Sequence, residues 1–368
     1  MQSRPDMRGE EIAAFLRETG WANAQRAPLS QDASTRRYER LIAPSGETAM
    51  LMDAPGVEAP PCPPAASKAE RLRLGWNAST RLAASRVDAF AALAGLLRAR
   101  GLSAPEVYAV NADKGLALIE DFGAGLEFAR LIERGAADET ALYASAGQAL
   151  AHLHRQPAPG KAEGFGHSWP ILEFDALALQ TNADLFAEWY PKIDPTTHWS
   201  AETNADWAVA RDGLIAQILT FKRAFTLRDF HAENLVLLKE RDGIAKVGLL
   251  DFQDAVLGWP GWDLAMLTQD ARRHVSNEAA AAAVEAYCAG TGAGREEIET
   301  QLAVIGTLNA LRISGLFARL IERDHKPRYR SFLPRQLAIL ARNLRHPAAR
   351  DMAAFLHGAA PRLLGGLA

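Results

Sequence analysis

Cysteine is scarce. Cys62 and Cys288 are the only two in 368 residues. They stand far apart and neither has a ligand-spaced neighbour, which excludes a disulfide framework and points to a reducing cytoplasm. No apolar run reaches the length of a membrane span, and the polar opening Met1-Gln2-Ser3-Arg4-Pro5-Asp6 does not read as a signal peptide. A surplus of one charge is missing too. The formal net charge is −3 and no basic stripe interleaves with aromatics, so neither a nucleic-acid nor a membrane partner is expected. There is no internal repeat and no Gly-x-x-x-x-Gly-Lys-Ser/Thr loop, and the first lysine is Lys68. What is present is ordinary: 48% hydrophobic and 23% charged residues, in a length that suits a large core and two lobes.

Regular elements follow from spacing. Ile12, Phe15 and Leu16 predict a helix over 10–19, stopped at Gly20. Residues 37–42 and 48–52 read as strands joined by Pro44-Ser45-Gly46, and 107–110 with 116–119 as a second hairpin around Asn111-Ala112-Asp113. Phe90, Leu93, Ala94 and Leu97 give one apolar face to a helix over 87–100, ended by Gly101. The Pro-rich run at 59–67 can continue neither helix nor strand, and reads as an exposed or mobile insertion within 55–75. From Gly123 onward the pattern is mainly helical, interrupted only by short strands near Asp229 and Asp251. The expected fold is α+β and bilobal. A small β-sheet lobe spans 1–122, a hinge lies at 120–125, and a larger helical lobe spans 123–368.

One pattern carries chemistry. Leu227-Arg228-Asp229-Phe230-His231-Ala232-Glu233-Asn234 is followed by the strand 245–250 and then Asp251-Phe252-Gln253-Asp254. Phosphoryl transfer needs a carboxylate to accept the attacking hydroxyl's proton, which suits Asp229. It also needs hard oxygen ligands for Mg2+, which suits Asn234 and Asp251. The alternative is that both aspartates are turn or cap residues. Protein kinases use the same Asp-to-Asn interval ahead of a metal-binding Asp.

The first lobe holds a second candidate. Ser34, Thr35, Arg36 and Arg37 precede the first clear strand, where small hydroxyls and an arginine can approach phosphate. Side chains alternate at a strand's start, so only one of Arg36 and Arg37 is expected to face the cavity. Glu120 and Phe122 end a strand where the lobes join, and backbone groups there could meet an adenine edge.

With these residues in view, the chain resembles the aminoglycoside phosphotransferase/choline kinase-like family, and within it the bacterial anomeric amino-sugar kinases. The family's His-Gly-Asp-x-x-x-x-Asn loop matches Leu227-Arg228-Asp229 through Asn234. Its Ile-Asp-Phe motif matches Leu250-Asp251-Phe252, and its Asp-Leu-Ala helix start matches Asp263-Leu264-Ala265. Further likeness lies in 32–38, 51–55, 248–255, Gln269-Asp270-Ala271-Arg272-Arg273 and 315–320. The resemblance implies a bilobal protein-kinase-like fold, ATP and Mg2+ as cofactors, and a small hydroxylated substrate. The implied acceptor is the anomeric hydroxyl of N-acetylmuramate or N-acetylglucosamine in cell-wall recycling. Two departures stand out: Leu227 and Arg228 replace the usual His and Gly, and the strand at 49–53 lacks the usual lysine. An arginine of the phosphate loop, or Arg228 beside Asp229, could restore that charge.

Other roles are weighed against plainer ones. Asp254 could reach a metal or substrate, or bond nearby backbone. His231 suits a bond within the loop better than a proton shuttle, and His152 and His154 read as structural. Trp189 and Tyr190, following a helical segment, could face a sugar or the core. Gln269, Asp270, Arg272 and Arg273 close the helix after Asp263; an arginine there suits a substrate carboxylate, or simply the helix dipole. Asp263 is expected to cap its helix or brace the catalytic loop. A choline- or aminoglycoside-type kinase and a silent nucleotide-binding regulator are the competing functions. The protein is expected to be a cytoplasmic monomer or weak dimer.

Overall fold

The computed structural model describes residues 5–29, 36–54, 62–63, 65–74, 86–361 and 363. Ser34, Thr35 and residues 59–61 and 64 of the Pro-rich run lie outside the described residues.

The front lobe is a five-stranded antiparallel sheet. In sheet order β1-β2-β3-β5-β4, its strands are β1 (Gln25–Pro28), β2 (Arg37–Ile42), β3 (Thr48–Asp53), β5 (Leu116–Ile119) and β4 (Val107–Asn111). Both expected hairpins are present, as β2–β3 and β4–β5. β1 was not expected. Its exposed, proline-ended sequence carries no apolar alternation, which is tolerable only on an edge. The first helix, α1 (Pro5–Glu18), buries Ile12, Phe15 and Leu16 against Leu41, Leu51, Leu116 and Leu118 on one sheet face. Burial of each such side chain contributes about 1.5–3 kcal/mol. Gly20, at φ +83°, ends the turn after it.

Where it is described, part of the insertion is helical. Ser67 caps the short helix α2 (Lys68–Arg73), and Arg71 clasps Asp175 of the back lobe. That tie draws the segment inward, and Cys62 is buried where an exposed loop was expected.

The helix α3 (Val87–Ala99) turns its apolar face into a core that runs through both lobes. Gly95 meets Gly164 of an unexpected hairpin, β6 (Lys161–Gly164) and β7 (His167–Pro170), so closely that a methyl on either would strike backbone. The back lobe is therefore not interrupted only near Asp229 and Asp251. Its helices are α4 (Phe128–Glu133), α5 (Glu139–Arg155), α6 (Ala176–Ile193), α7 (Ala201–Thr220), α8 (Pro260–Thr268), α9 (Asn277–Thr291), α10 (Arg295–Glu322), α11 (Leu333–Leu344) and α12 (Arg350–Ala359). Among the described residues, α10 alone is long and apolar enough to cross a membrane, and 83% of that window is buried in the protein.

Three boundaries differ from expectation. Trp189 and Tyr190 lie inside α6, which continues through Pro191 to Ile193 although that proline has no N–H to donate to the carbonyl four residues back. The α8 helix ends at Thr268, so Asp270, Arg272 and Arg273 belong to the connection that follows. Residues 243–246 form a 3-10 turn before the short strand begins at Val247.

Candidate active site

Two short antiparallel ribbons build the site. The strand β8 (Ala224–Thr226) pairs with β11 (Val256–Gly258), and β9 (Leu235–Leu237) with β10 (Val247–Leu249). The connections 227–234 and 250–255 therefore leave the ribbons side by side, joined where the Leu250 N–H donates to the Asn234 carbonyl at 2.9 Å. Residues at both bends adopt left-handed backbone: Arg228 at φ +72° and Asp251 at φ +56°. Such positions cost about 1–3 kcal/mol and persist only where the surroundings impose them. At Arg228 the imposing group is Asp263, fully buried, whose carboxylate accepts the N–H groups of Leu227 and Arg228 at 2.8 Å each. Asp263 thus braces the loop, and Trp259 takes the helix-cap position instead. At Asp251 the support comes from below. Phe252 stacks on Phe90 of α3 at 4.9 Å.

The loop is closed by its own side chains. The Asn234 amide N–H donates to the Asp229 carbonyl at 2.9 Å and to His231 Nε2 at 3.3 Å. Arg272 Nη1 donates to the same Nε2 at 3.1 Å. Burial, then the charge of Arg272, pushes the His231 pKa down to about 4, so the ring is neutral. A loop-bracing role, rather than a proton shuttle, is what this geometry supports.

The charges converge. Arg36 is buried and its guanidinium pairs with Asp251, whose Oδ1 also accepts from Gln253 at 2.9 Å. Burial would raise the Asp251 carboxyl, but Arg36 and Gln253 overcome it and hold the group below its ordinary value, as an anion. Asp254 goes the other way. Burial pushes its carboxyl up to about 7, with Arg228 opposing and the Asp229 and Asp251 charges adding to the rise. The Arg228 guanidinium lies over Phe174 at 5.4 Å and 3.7 Å from Asp254.

Of the expected phosphate-loop residues, Arg36 enters the site, whereas Arg37 is exposed at the start of β2. The strand that lacks lysine is filled instead by buried Met50 and Met52, and Asp53 at its end is tied to Arg8. The Glu120 backbone N–H is engaged within the sheet. It donates to the Glu106 carbonyl at 2.8 Å, because pairing of β4 with β5 continues one residue further, and the Glu120 carboxylate holds Arg241. Phe122 is wedged between Arg241 and the backbone at Gly248.

The remaining candidates divide. Arg272 joins the loop through His231 and lies 3.5 Å from Glu233. Asp270 is buried and accepts the Arg272 N–H at 2.8 Å. Gln269 bonds Asn343, and Arg273 bonds Glu139 and Tyr143, so both are structural links to distant helices. The Trp189 ring is faced by Lys192 at 3.7 Å within its own helix, and Tyr190 stacks on Phe186 in the core, so the sugar-facing reading finds no support. His154 lies buried, 3.5 Å from Asp263, and His152 bonds the Arg100 carbonyl, in keeping with structural roles.

The donor set suits Mg2+ carried by a nucleotide. Such a cation needs one or two protein oxygens, the phosphates supplying others. Because its NH2 group is taken by two acceptors, Asn234 is left presenting Oδ1, and Asp251 is an anion on the adjoining loop. Among the described residues no cluster of three His, Cys, Asp or Glu could form an all-protein cage.

Residues 25–299 match the phosphotransferase enzyme family, and the chain belongs to it. Over 348 residues it is 45% identical to an N-acetylmuramate/N-acetylglucosamine kinase of Caulobacter vibrioides, a match covering 93% of this chain and 94% of the relative. A kinase of the same name from Pseudomonas aeruginosa is 29% identical over 329 residues, covering 86% of this chain and 83% of that one. A solved choline/ethanolamine kinase family protein from Mesorhizobium loti shares the fold, with a TM-score of 0.56 at 17% identity over 96% of this chain and 99% of that one. The expected kinase-like bilobal fold and phosphotransferase class are borne out.

Proposed function

We propose that this protein is an ATP- and Mg2+-dependent kinase that phosphorylates the anomeric hydroxyl of N-acetylmuramate or N-acetylglucosamine. What supports the reading is that the loops bearing Asp229, Asn234 and Asp251 adjoin, in a chain 45% identical to a kinase named for those sugars. Asp229 takes the proton of the sugar hydroxyl as its oxygen bonds to the γ-phosphorus and the bond to ADP breaks. An anomeric hydroxyl is more acidic than an ordinary alcohol, so a carboxylate suffices as base. Asn234 Oδ1 and Asp251 hold the cation, which when bound neutralises phosphate charge. Arg36, delivered from the first lobe onto Asp251, stands in for the missing lysine and moves to the phosphates when nucleotide enters. Arg228 keeps Asp254 beside the base. The reading puts the enzyme in the cytoplasm, where ATP is available.

The test is 31P NMR of the protein incubated with ATP and Mg2+ and, separately, N-acetylglucosamine, N-acetylmuramate, kanamycin or choline. A new sugar-phosphate resonance is expected with the amino sugars only. Asp229→Asn is expected to abolish it while leaving nucleotide binding largely intact. Equal inertness of wild type and variant toward every acceptor would sink the proposal and favour a nucleotide-binding regulator.

A further inference from the structure

The 269–276 connection between α8 and α9 reaches back across 41 residues of sequence to the catalytic loop, where Arg272 Nη1 bonds His231 Nε2. Arginine can only donate. His231 Nε2 must therefore accept, and the ring proton must sit on Nδ1. The same Nε2 also receives the Asn234 amide, whose second acceptor is the Asp229 carbonyl. A reversed amide would aim Oδ1 at a lone pair and a carbonyl oxygen, two repulsive contacts in place of two bonds. Were Arg272 removed, His231 could carry its proton on Nε2 instead. It would then donate to Oδ1 and stabilise the reversed amide.

We infer that Arg272 and His231 form a positioning pair that sets the Asn234 amide, keeping Oδ1 turned toward the nucleotide-borne cation. The inference rests on the kinase reading of the site. Neither residue touches the cation or the reacting atoms. Arg272 is itself held, since buried Asp270 accepts its N–H at 2.8 Å and Glu233 lies 3.5 Å from its Nε. The arrangement parallels outer partners of metal ligands generally, whose loss costs about 10- to 100-fold in metal affinity.

The experiment is calorimetric titration of the full chain with AMP-PNP, once with Mg2+ and once with EDTA. Arg272→Ala is expected to lose about 10- to 100-fold of the Mg2+-dependent tightening, with the metal-free Kd unchanged. Arg272→Lys, which can still only donate, is expected to recover most of it. Half-exposed Arg272 can be replaced without opening a cavity in the core. An unchanged Mg2+-dependent increment in Arg272→Ala would overturn the inference. So would parallel weakening of both affinities, which marks general loosening of the loop. If wild type itself binds nucleotide without any Mg2+ effect, the inference falls together with the kinase reading, and that result is seen before any variant is made.

Discussion

Replacing Asp263 by Asn changes one atom in the brace beneath the 227–234 loop, and its cost can be worked from the geometry. The carboxylate accepts two backbone N–H groups at 2.8 Å and has no solvent to fall back on. Asparagine keeps one oxygen for one N–H and turns its NH2 group against the other. A hydrogen bond to a charged group contributes about 1.5–3 kcal/mol, and a stranded buried donor costs about 1–3 kcal/mol. Allowing for overlap between these terms, the loss is about 3 kcal/mol. Unfolding entropy of about 2.1 cal/mol/K per residue gives about 0.8 kcal/mol/K for 368 residues, so Tm should fall by about 4 °C if the chain unfolds as one unit. Arg228 would then relax from its left-handed backbone, and the next residue is Asp229. A misplacement of about 1 Å costs about 100-fold in rate, so kcat should fall far more than nucleotide affinity. Scanning calorimetry and steady-state kinetics on the same preparation provide the measure. A variant that melts with wild type and turns over at the wild-type rate would refute the idea that Asp263 holds the loop.

Two further outcomes follow from the site and the core. Asp254 is protonated in the folded state up to about pH 7 but in the unfolded chain only to about pH 4, so the stability it contributes is present at low pH and lost as pH rises through that window. Wild type should therefore lose stability relative to Asp254→Asn between pH 4 and 7, by up to about 4 kcal/mol in urea denaturation, and parallel pH curves for the two proteins would count against the shift. Gly315 lies where α10 crosses α6, and a methyl there would run into the Leu185 carbonyl. Gly315→Ala should cost at least about 1–3 kcal/mol, seen as a lowered Tm in thermal scanning, and an unshifted melt would show that the two helices can part without penalty.

Features with local causes were legible in the sequence. The hairpins at 37–53 and 107–119, and the helices stopped by Gly20 and Gly101, rest on turn chemistry and apolar spacing within a dozen residues. Asp229, Asn234 and Asp251 could be singled out as candidates because one stretch of sequence carries them. What escaped depends on distant partners or on weak local signals. β1 and the β6–β7 hairpin have no alternating apolar face, and Phe165 at φ +52° gives little hint of a turn. Nothing near Gln269 or Arg273 says that Asn343 or Glu139 will claim them, while Arg272, three residues from one and adjacent to the other, reaches the site. Strand alternation could say that one of Arg36 and Arg37 turns inward, and only the contact with Asp251 says which.

The shared interior has a practical corollary for anyone recombining this enzyme with a homologue. Phe90 supports the loop bearing Asp251, and Gly95 abuts Gly164, so a crossover placed near residue 122 would part tightly fitted surfaces inherited together. Grafts that carry 161–170 along with the donor's first 122 residues keep that fit intact. Grafts that do not must find a second helix with a bare backbone at the same height, or emerge from the ribosome with their halves wedged apart.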